Sequence, residues 1–385
     1  MTRLAREHRS INLAQGFPNF ACADLLKSAA IDAINADINQ YAITWGSQHL
    51  REALARKYEA WYGFVVDPDR EITVTCGATE AMISTMLAVV NPGDEVIVFE
   101  PFYENYGPDT ILSDAKPVFV PLEPGCPLDL DRLAAAFTPR TRAIIVNTPS
   151  NPSGRVLTRT ELEAIRDLCV RHDCLAVTDE IYEHMVYDGE HVPLATLPDM
   201  RERTVTISGA SKTFGVTGWR IGWVIAPEAL TDAIRKVHDF LTVGAPAPLQ
   251  EAIAVALDRL DRRFYEQLAA EYRARRELLF GALADAGFRC TPPEGAYYIL
   301  ADFSELSDLP DTEFAVWLSR EVGVTPVPGS SFYHAPGGGR SHVRFVFCKT
   351  DDILAEASRR LRGLRAGGTS VRRELGAAAR SGLQS

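Results

Sequence analysis

Apolar runs and polar, helix-like stretches alternate through the middle of the chain. "EITVTCGATEAMISTMLAVV", from Glu71 to Val90, predicts a strand, a Gly turn and a helix. "DEVIVFEPF" predicts a second strand, "TRAIIVNTP" a third, "CLAVTDEIY" a fourth, "RTVTIS" a fifth and "WRIGWVIA" a sixth. Helical stretches lie between several of them. In "TRTELEAIRDLCVRHD", Thr158 or Thr160 is placed to cap the helix, with acidic residues in its first turn. Strands that are apolar almost throughout, separated by helices, predict an α/β fold whose mostly parallel sheet is sandwiched by helices. Ligands of such sheets gather beyond the carboxyl ends of the strands.

After about Arg235 the pattern turns helical, and "AEYRARRELLFGALADAG" reads as a long amphipathic helix. "GAYYILADF" and "SHVRFVFCK" then predict strands that alternate more, as in a smaller α+β domain. The expected organisation is an N-terminal segment, 1–35, folded against the small domain; a large domain, 36–284; the small C-terminal domain, 285–366; and a disordered tail, 367–385. There is no internal repeat.

Composition narrows the classes. A chain of 385 residues that is 46% hydrophobic can bury a large core. A formal charge of −11 with no basic run speaks against nucleic acid as a partner. No apolar stretch is long enough for a bilayer, and "MTRLAREHRSIN" lacks the apolar core of a secretion signal. Seven cysteines lack metal-ligand spacing, and Cys169 and Cys174 read as core. The expectation is a reduced cytoplasm and no membrane.

The chemistry-bearing residues stand at strand ends. Asn147 to Gly154, "NTPSNPSG", follows the third strand, and Asp179 closes the fourth, with Tyr182 just after it. Lys212 follows the fifth strand in "VTISGASKTFGVTGWRIGW", and Arg220 enters the sixth. Gly77, Ala78 and Thr79 open the helix after the first strand, where small residues let backbone N–H groups approach an anion. All of these should meet at one edge of one sheet.

Each has a plainer reading. Asp179 could be a turn residue, Gly77 could serve only the bend, and Tyr103 and Tyr182 could be core-edge aromatics. Arg344, between Val343 and Phe345, could sit on an exposed strand face. The histidines show no ligand spacing, and His184 and His238 read as structural. Nucleotide motifs fail outright: Ser211 precedes Lys212 where a P-loop needs Gly, Thr206 stands at its other Gly position, and no G-x-G-x-x-G opens a helix after a strand.

Taken together, "NTPSNPSG", "TDEIYEHMVYDG", "SKTFGVTGWRIGW" and "VRFVF" resemble the signature set of fold-type I, pyridoxal-phosphate-dependent aminotransferases of class I/II. "INLAQGFPNF" and "QYAITWGSQHLREAL" are similar to the kynurenine/glutamine and aspartate aminotransferase subgroup. The resemblance runs from about Ile11 to Lys349 with the motifs in family order.

It implies exchange of an amino group between an L-amino acid and a 2-oxo acid through a Schiff base on Lys212. Asp179 would pair with the cofactor's ring nitrogen. Asn151 and Tyr182 would bond its phenolic oxygen, and Tyr103 would stack on its face. Ala78 and Thr79, with Gly77, Ser211 and Arg220, would hold the phosphate. Arg344, with Gly16 and Asn151, would take the substrate carboxylate in a fork that lysine lacks. Tyr41 would reach the phosphate of a neighbouring subunit, which implies a homodimer with active sites at the interface. Trp45, Tyr41 and the partner's "LTVGAPAP" segment would line the side-chain pocket.

Two positions depart from the pattern: Gly209 stands where serine is common, so that one phosphate hydroxyl is either lost or supplied by Ser208, and Asn19 stands for an aspartate. The same cofactor chemistry also allows β/γ-elimination, replacement or cyclisation, the alternative outcome.

Overall fold

The computed structural model describes residues 1–366; the tail expected at 367–385 lies outside the described residues. Its centre is a seven-stranded sheet. In spatial order the strands are Ile72–Thr75, Gly222–Ile225, Thr204–Gly209, Leu175–Asp179, Thr141–Asn147, Glu95–Glu100 and Lys116–Pro121. All run parallel except Gly222–Ile225, which is antiparallel to both neighbours.

Burial explains why the apolar runs barely alternate. Every residue of Glu95–Glu100, Leu175–Asp179 and Thr204–Gly209 is buried, because helices cover both faces. Ile97, Phe99 and Ile144 meet Leu162, Ile165 and Leu168 of helix Arg159–His172 on one face. Val96, Val98 and Ile145 meet Met82 and Met86 of helix Ala78–Val89 on the other. Each such aliphatic side chain stabilises by about 1.5–3 kcal/mol relative to exposure. Helix Arg159–His172 starts at Thr158, not Thr160: the Thr158 hydroxyl accepts from Glu161 N–H, and Glu161 reaches back to the Thr158 N–H.

The seventh strand, "KPVFVP", had no place in the reading above. Two prolines remove ladder donors, and the strand is only partly buried, as an edge position permits.

Beyond the long helix Arg262–Ala286, an antiparallel sheet runs Val327–Pro328, His342–Val346, Tyr298–Asp302, Arg289–Cys290. These strands do not alternate as expected. Tyr298–Asp302 and His342–Val346 are buried almost throughout. Leu279, Leu283, Leu354 and Leu361 of two helices share their core with Ile181, Tyr182 and Met185 of the large sheet's turn, so both faces are covered. Near the amino end, Ile11–Asn12 pairs in parallel with Val324–Thr325. Among the described residues no helix is long and apolar enough to cross a membrane.

Candidate active site

The strand ends open into one cavity of about 260 Å³. Gly16, Ala78, Thr79, Tyr103, Asn151, Asp179, Tyr182, Ser211, Lys212, Arg220 and Arg344 all line it. These residues are therefore not scattered but share one space.

Topology brings Arg220 here. A parallel strand would start at the far edge of the sheet; the antiparallel Gly222–Ile225 strand starts at the edge where its neighbours end. Gly209 pairs with Gly222 across that hairpin, and Lys212 sits in the short helix Ala210–Thr213 at its tip. Glycine is required where the hairpin meets the next helix. A Cβ on Gly222 would lie 2.4 Å from the Gly77 carbonyl carbon and 2.6 Å from the Ala78 nitrogen. Gly77 itself has φ +84°, and a Cβ there would lie 2.2 Å from Arg220 Nη2. Helix Ala78–Val89 carries no side-chain cap at this end among the described residues, so its first N–H groups, beside the cavity that Ala78 and Thr79 line, are unclaimed by a cap. Arg220, with φ +56°, is held by bonds from Nη1 to the Thr217 carbonyl (3.0 Å) and from Nη2 to the Cys76 carbonyl (3.4 Å).

Two buried charges of opposite sign face the same space, and neither has an ion-pair partner among the described residues. Asp179 Oδ2 accepts from Tyr106 (2.8 Å) and Oδ1 from the Ile181 N–H (3.3 Å). Burial raises its pKa, against the pull of those bonds and of Lys212. Arg344 donates from Nη1 to Asn151 Oδ1 (2.8 Å) and from Nη2 to the Ala14 carbonyl (2.9 Å). Its buried Nε has no acceptor among the described residues. Far from the exposed strand face that alternation allowed, Arg344 is only 7% exposed.

Lys212 Nζ donates to the Gly16 carbonyl at 3.3 Å and lies 5.9 Å from the ring centres of Tyr182 and Tyr297. Burial lowers its pKa to about 8, with Arg220 and Arg344 acting the same way and Cys348 and Asp179 opposing. Tyr182 shares a 2.6 Å hydrogen bond with Tyr298. Gly16 has no room for a side chain, since a Cβ would lie 2.5 Å from the Tyr298 hydroxyl.

Three neighbours of the cavity escaped the reading of the sequence. Tyr106 and Tyr298 stand within "EPFYENY" and "GAYYILADF", but nothing local distinguishes them from core aromatics. Asn147 opens the quoted turn without an assigned part. Its Nδ2 donates to the Asp179 carbonyl (2.9 Å), and its Oδ1 accepts from the Asn151 N–H (2.8 Å), tying two strand ends together.

Two expectations need correction or a separate place. Ser208 cannot make good the missing hydroxyl at Gly209. Successive strand residues point to opposite faces, and Ser208 donates to Glu183 Oε1 (2.8 Å) behind the sheet. Tyr41 is not in this cavity; it is 85% exposed, in a surface concavity with Ile38, Ile43 and Ala247.

A phosphorylated, cationic-ring aldehyde fits these donors. The uncapped helix and Arg220 suit a phosphate, an unpaired buried carboxylate suits a ring N–H, and an amine pulled to about 8 suits attack on a carbonyl. Arg344, without an ion-pair partner among the described residues, has the donor set that suits a carboxylate.

Comparison with known proteins agrees. The model of the aminotransferase class I and II family matches residues 9–361. A probable N-succinyldiaminopimelate aminotransferase of Mycobacterium tuberculosis is 43% identical over 373 residues, covering 94% of both chains. A methionine aminotransferase of Escherichia coli is 39% identical over 366 residues, again covering 94% of both. The solved structure of N-succinyldiaminopimelate aminotransferase from Mycobacterium tuberculosis superposes with a TM-score of 0.91 at 42% identity, over 94% of this chain and 96% of that one. The chain belongs to the class I and II aminotransferases, pyridoxal-phosphate-dependent transferases of fold type I.

Proposed function

We propose that this aminotransferase works in the cavity around Lys212, with the residues described above in distinct parts. The observation that carries the reading is the pair of buried charges, Asp179 and Arg344, hydrogen-bonded but without an ion-pair partner among the described residues, on the wall that also holds Lys212. Bound pyridoxal phosphate supplies an electron-withdrawing ring that makes the α-hydrogen of an attached amino acid acidic.

Lys212 would hold the cofactor through its aldehyde and, as a free amine, would move the proton from the substrate α-carbon. A lowered pKa leaves a useful fraction of its amine neutral near pH 7 to 8. Asp179 would hold a proton on the ring nitrogen. Tyr182 and Asn151 would bond the phenolic oxygen, and Tyr103 would pack on the ring. The first N–H groups at Ala78 and Thr79, beside Gly77, take the phosphate with Ser211 and Arg220. Arg344 takes the substrate α-carboxylate, oriented by Asn151 and close to Gly16.

The working unit in this reading is a homodimer. Tyr41, 85% exposed, lies with the exposed Ile38 and Ile43 in one surface concavity, and Phe240 is 94% exposed; grouped exposed apolar side chains of this kind suit a partner surface. A second copy would cover them and bring its own Tyr41 to the phosphate. Seven free cysteines suit a reduced cytoplasm as the place of work.

The test is a half-reaction. Holoenzyme mixed with one amino donor should change its cofactor absorbance and regain it on adding a 2-oxo acid, with methionine and N-succinyldiaminopimelate first in the donor panel. Arg344→Ala should raise KM for donors by about 100-fold, the loss of charged hydrogen bonds of roughly 3 kcal/mol. Release of ammonia or a side-chain fragment, with no recovery of absorbance, would replace transfer by elimination.

A further inference from the structure

His238 is completely buried at the last turn of helix Glu228–Leu241. Its two ring nitrogens meet two acceptors: Nδ1 lies 2.7 Å from Glu80 Oε1, and Nε2 lies 2.8 Å from the Thr44 carbonyl. A neutral imidazole has one N–H and can serve only one of them; donation to both requires the imidazolium. The Thr242 hydroxyl, 3.4 Å from Nδ1, is a weaker neighbour. The charges also suit their helices. Glu80 stands in the first turn of Ala78–Val89 and His238 in the last turn of its own helix, each where the backbone dipole favours its sign.

What the ring joins gives it a purpose. Glu80 Oε2 accepts from the Cys76 N–H at 2.6 Å, fixing the turn that leads into Gly77 and Ala78. Thr44 belongs to the segment that carries Tyr41. We propose that His238, protonated on both nitrogens, is a positioning residue that clamps the Tyr41 segment to the helix start that receives the cofactor phosphate. The clamp rests on the reading that Ala78 and Thr79 are the phosphate's seat.

Burial works against the charged ring, but the hydrogen bond and charge of Glu80, with the Thr44 carbonyl and Asp239, together outweigh it, and the pKa is raised above the ordinary histidine value. Of the groups facing the ring, Glu80 and Asp239 carry charge; Thr44 and Thr242 present a carbonyl and a hydroxyl. A raised value means that the clamp is whole at low pH and is lost as pH rises through it.

Glu80→Gln separates this from packing. Glutamine can keep the Cys76 bond through its oxygen while its amide donates to a neutral His238, whose single N–H then serves Thr44. Pyridoxal phosphate affinity of wild type, Glu80→Gln and His238→Gln is measured by absorbance titration of apoenzyme from pH 6 to 9. Wild type should lose about tenfold more affinity than Glu80→Gln as pH rises, the worth of one charge-assisted hydrogen bond. Lys212 titrates in both proteins, so its effect divides out. Superimposable profiles overturn the clamp. A wild type that binds no pyridoxal phosphate overturns the reading of the site, and the clamp with it. Independently of any variant's folding, ¹⁵N-histidine NMR of the wild-type holoenzyme should show both His238 nitrogens protonated at pH 6.5; a neutral ring there also overturns it.

Discussion

The phenol of Tyr106 donates to Oδ2 of Asp179 at 2.8 Å, so the buried acid at the end of one strand is held by the residue that begins helix Tyr106–Leu112. That bond favours the ionised carboxylate, against the burial that raises its pKa. Tyr106→Phe leaves Asp179 with the Ile181 N–H and a higher proton affinity. We expect kcat to fall by about 10- to 100-fold with KM nearly unchanged, as for loss of a hydrogen bond to a charge worth about 1.5–3 kcal/mol. Steady-state kinetics and the pH titration of the cofactor band measure it; unaltered kinetics would detach Tyr106 from the chemistry.

Lys212 makes a pH prediction for the apoenzyme. Its folded pKa, about 8, lies below the unfolded value near 10.5, so the folded protein binds fewer protons than the unfolded chain between them. Stability conferred by the site therefore rises as pH climbs from about 8 towards 10.5, and the full penalty applies below 8. Lys212→Met apoenzyme should be more stable than wild type at pH 6.5 by a few kcal/mol, with the gap closing by pH 10. Urea denaturation at both pH values checks the sign; a gap that widened with pH would refute it.

Behind the sheet, Glu183 accepts from Lys57 (2.5 Å), Tyr62 (2.6 Å) and Ser208 (2.8 Å). Lys57 and Glu183 are 5% and 2% exposed, so neither charge has water to fall back on. The network joins helix Gln48–Tyr62 to the turn after Asp179 and to the strand before Lys212. Lys57→Met should destabilise by about 3–5 kcal/mol, because it strands a buried carboxylate. Adding Glu183→Leu should recover much of that. A double variant as weak as the single one would mean that packing, not charge, sets the loss.

Gly77→Ala tests the phosphate corner. Its φ of +84° disfavours alanine by about 1 kcal/mol, and the new Cβ would displace the Arg220 guanidinium. Cofactor affinity should drop about tenfold while the thermal midpoint of the apoenzyme moves only a few degrees. Retained affinity would show that Arg220 finds another route to the anion.

The residue sequence alone determined much of this protein. Apolar runs with helices between them could bury only as a sheet covered on both faces, which is why six of the seven strands were legible. Turn formers and small residues at strand ends likewise marked where ligands gather. Lys116–Pro121 escaped because an edge strand needs neither a full apolar run nor every N–H.

Tertiary structure decided what depends on pairing at a distance. The direction of Gly222–Ile225 put Arg220 at the cavity, strand parity turned Ser208 towards Glu183, and packing chose Tyr106 for Asp179 and both acceptors for His238. Local periodicity reports only whether a side chain is to be buried. The group it meets there is set by elements tens to hundreds of residues away, brought together by the burial of the whole core.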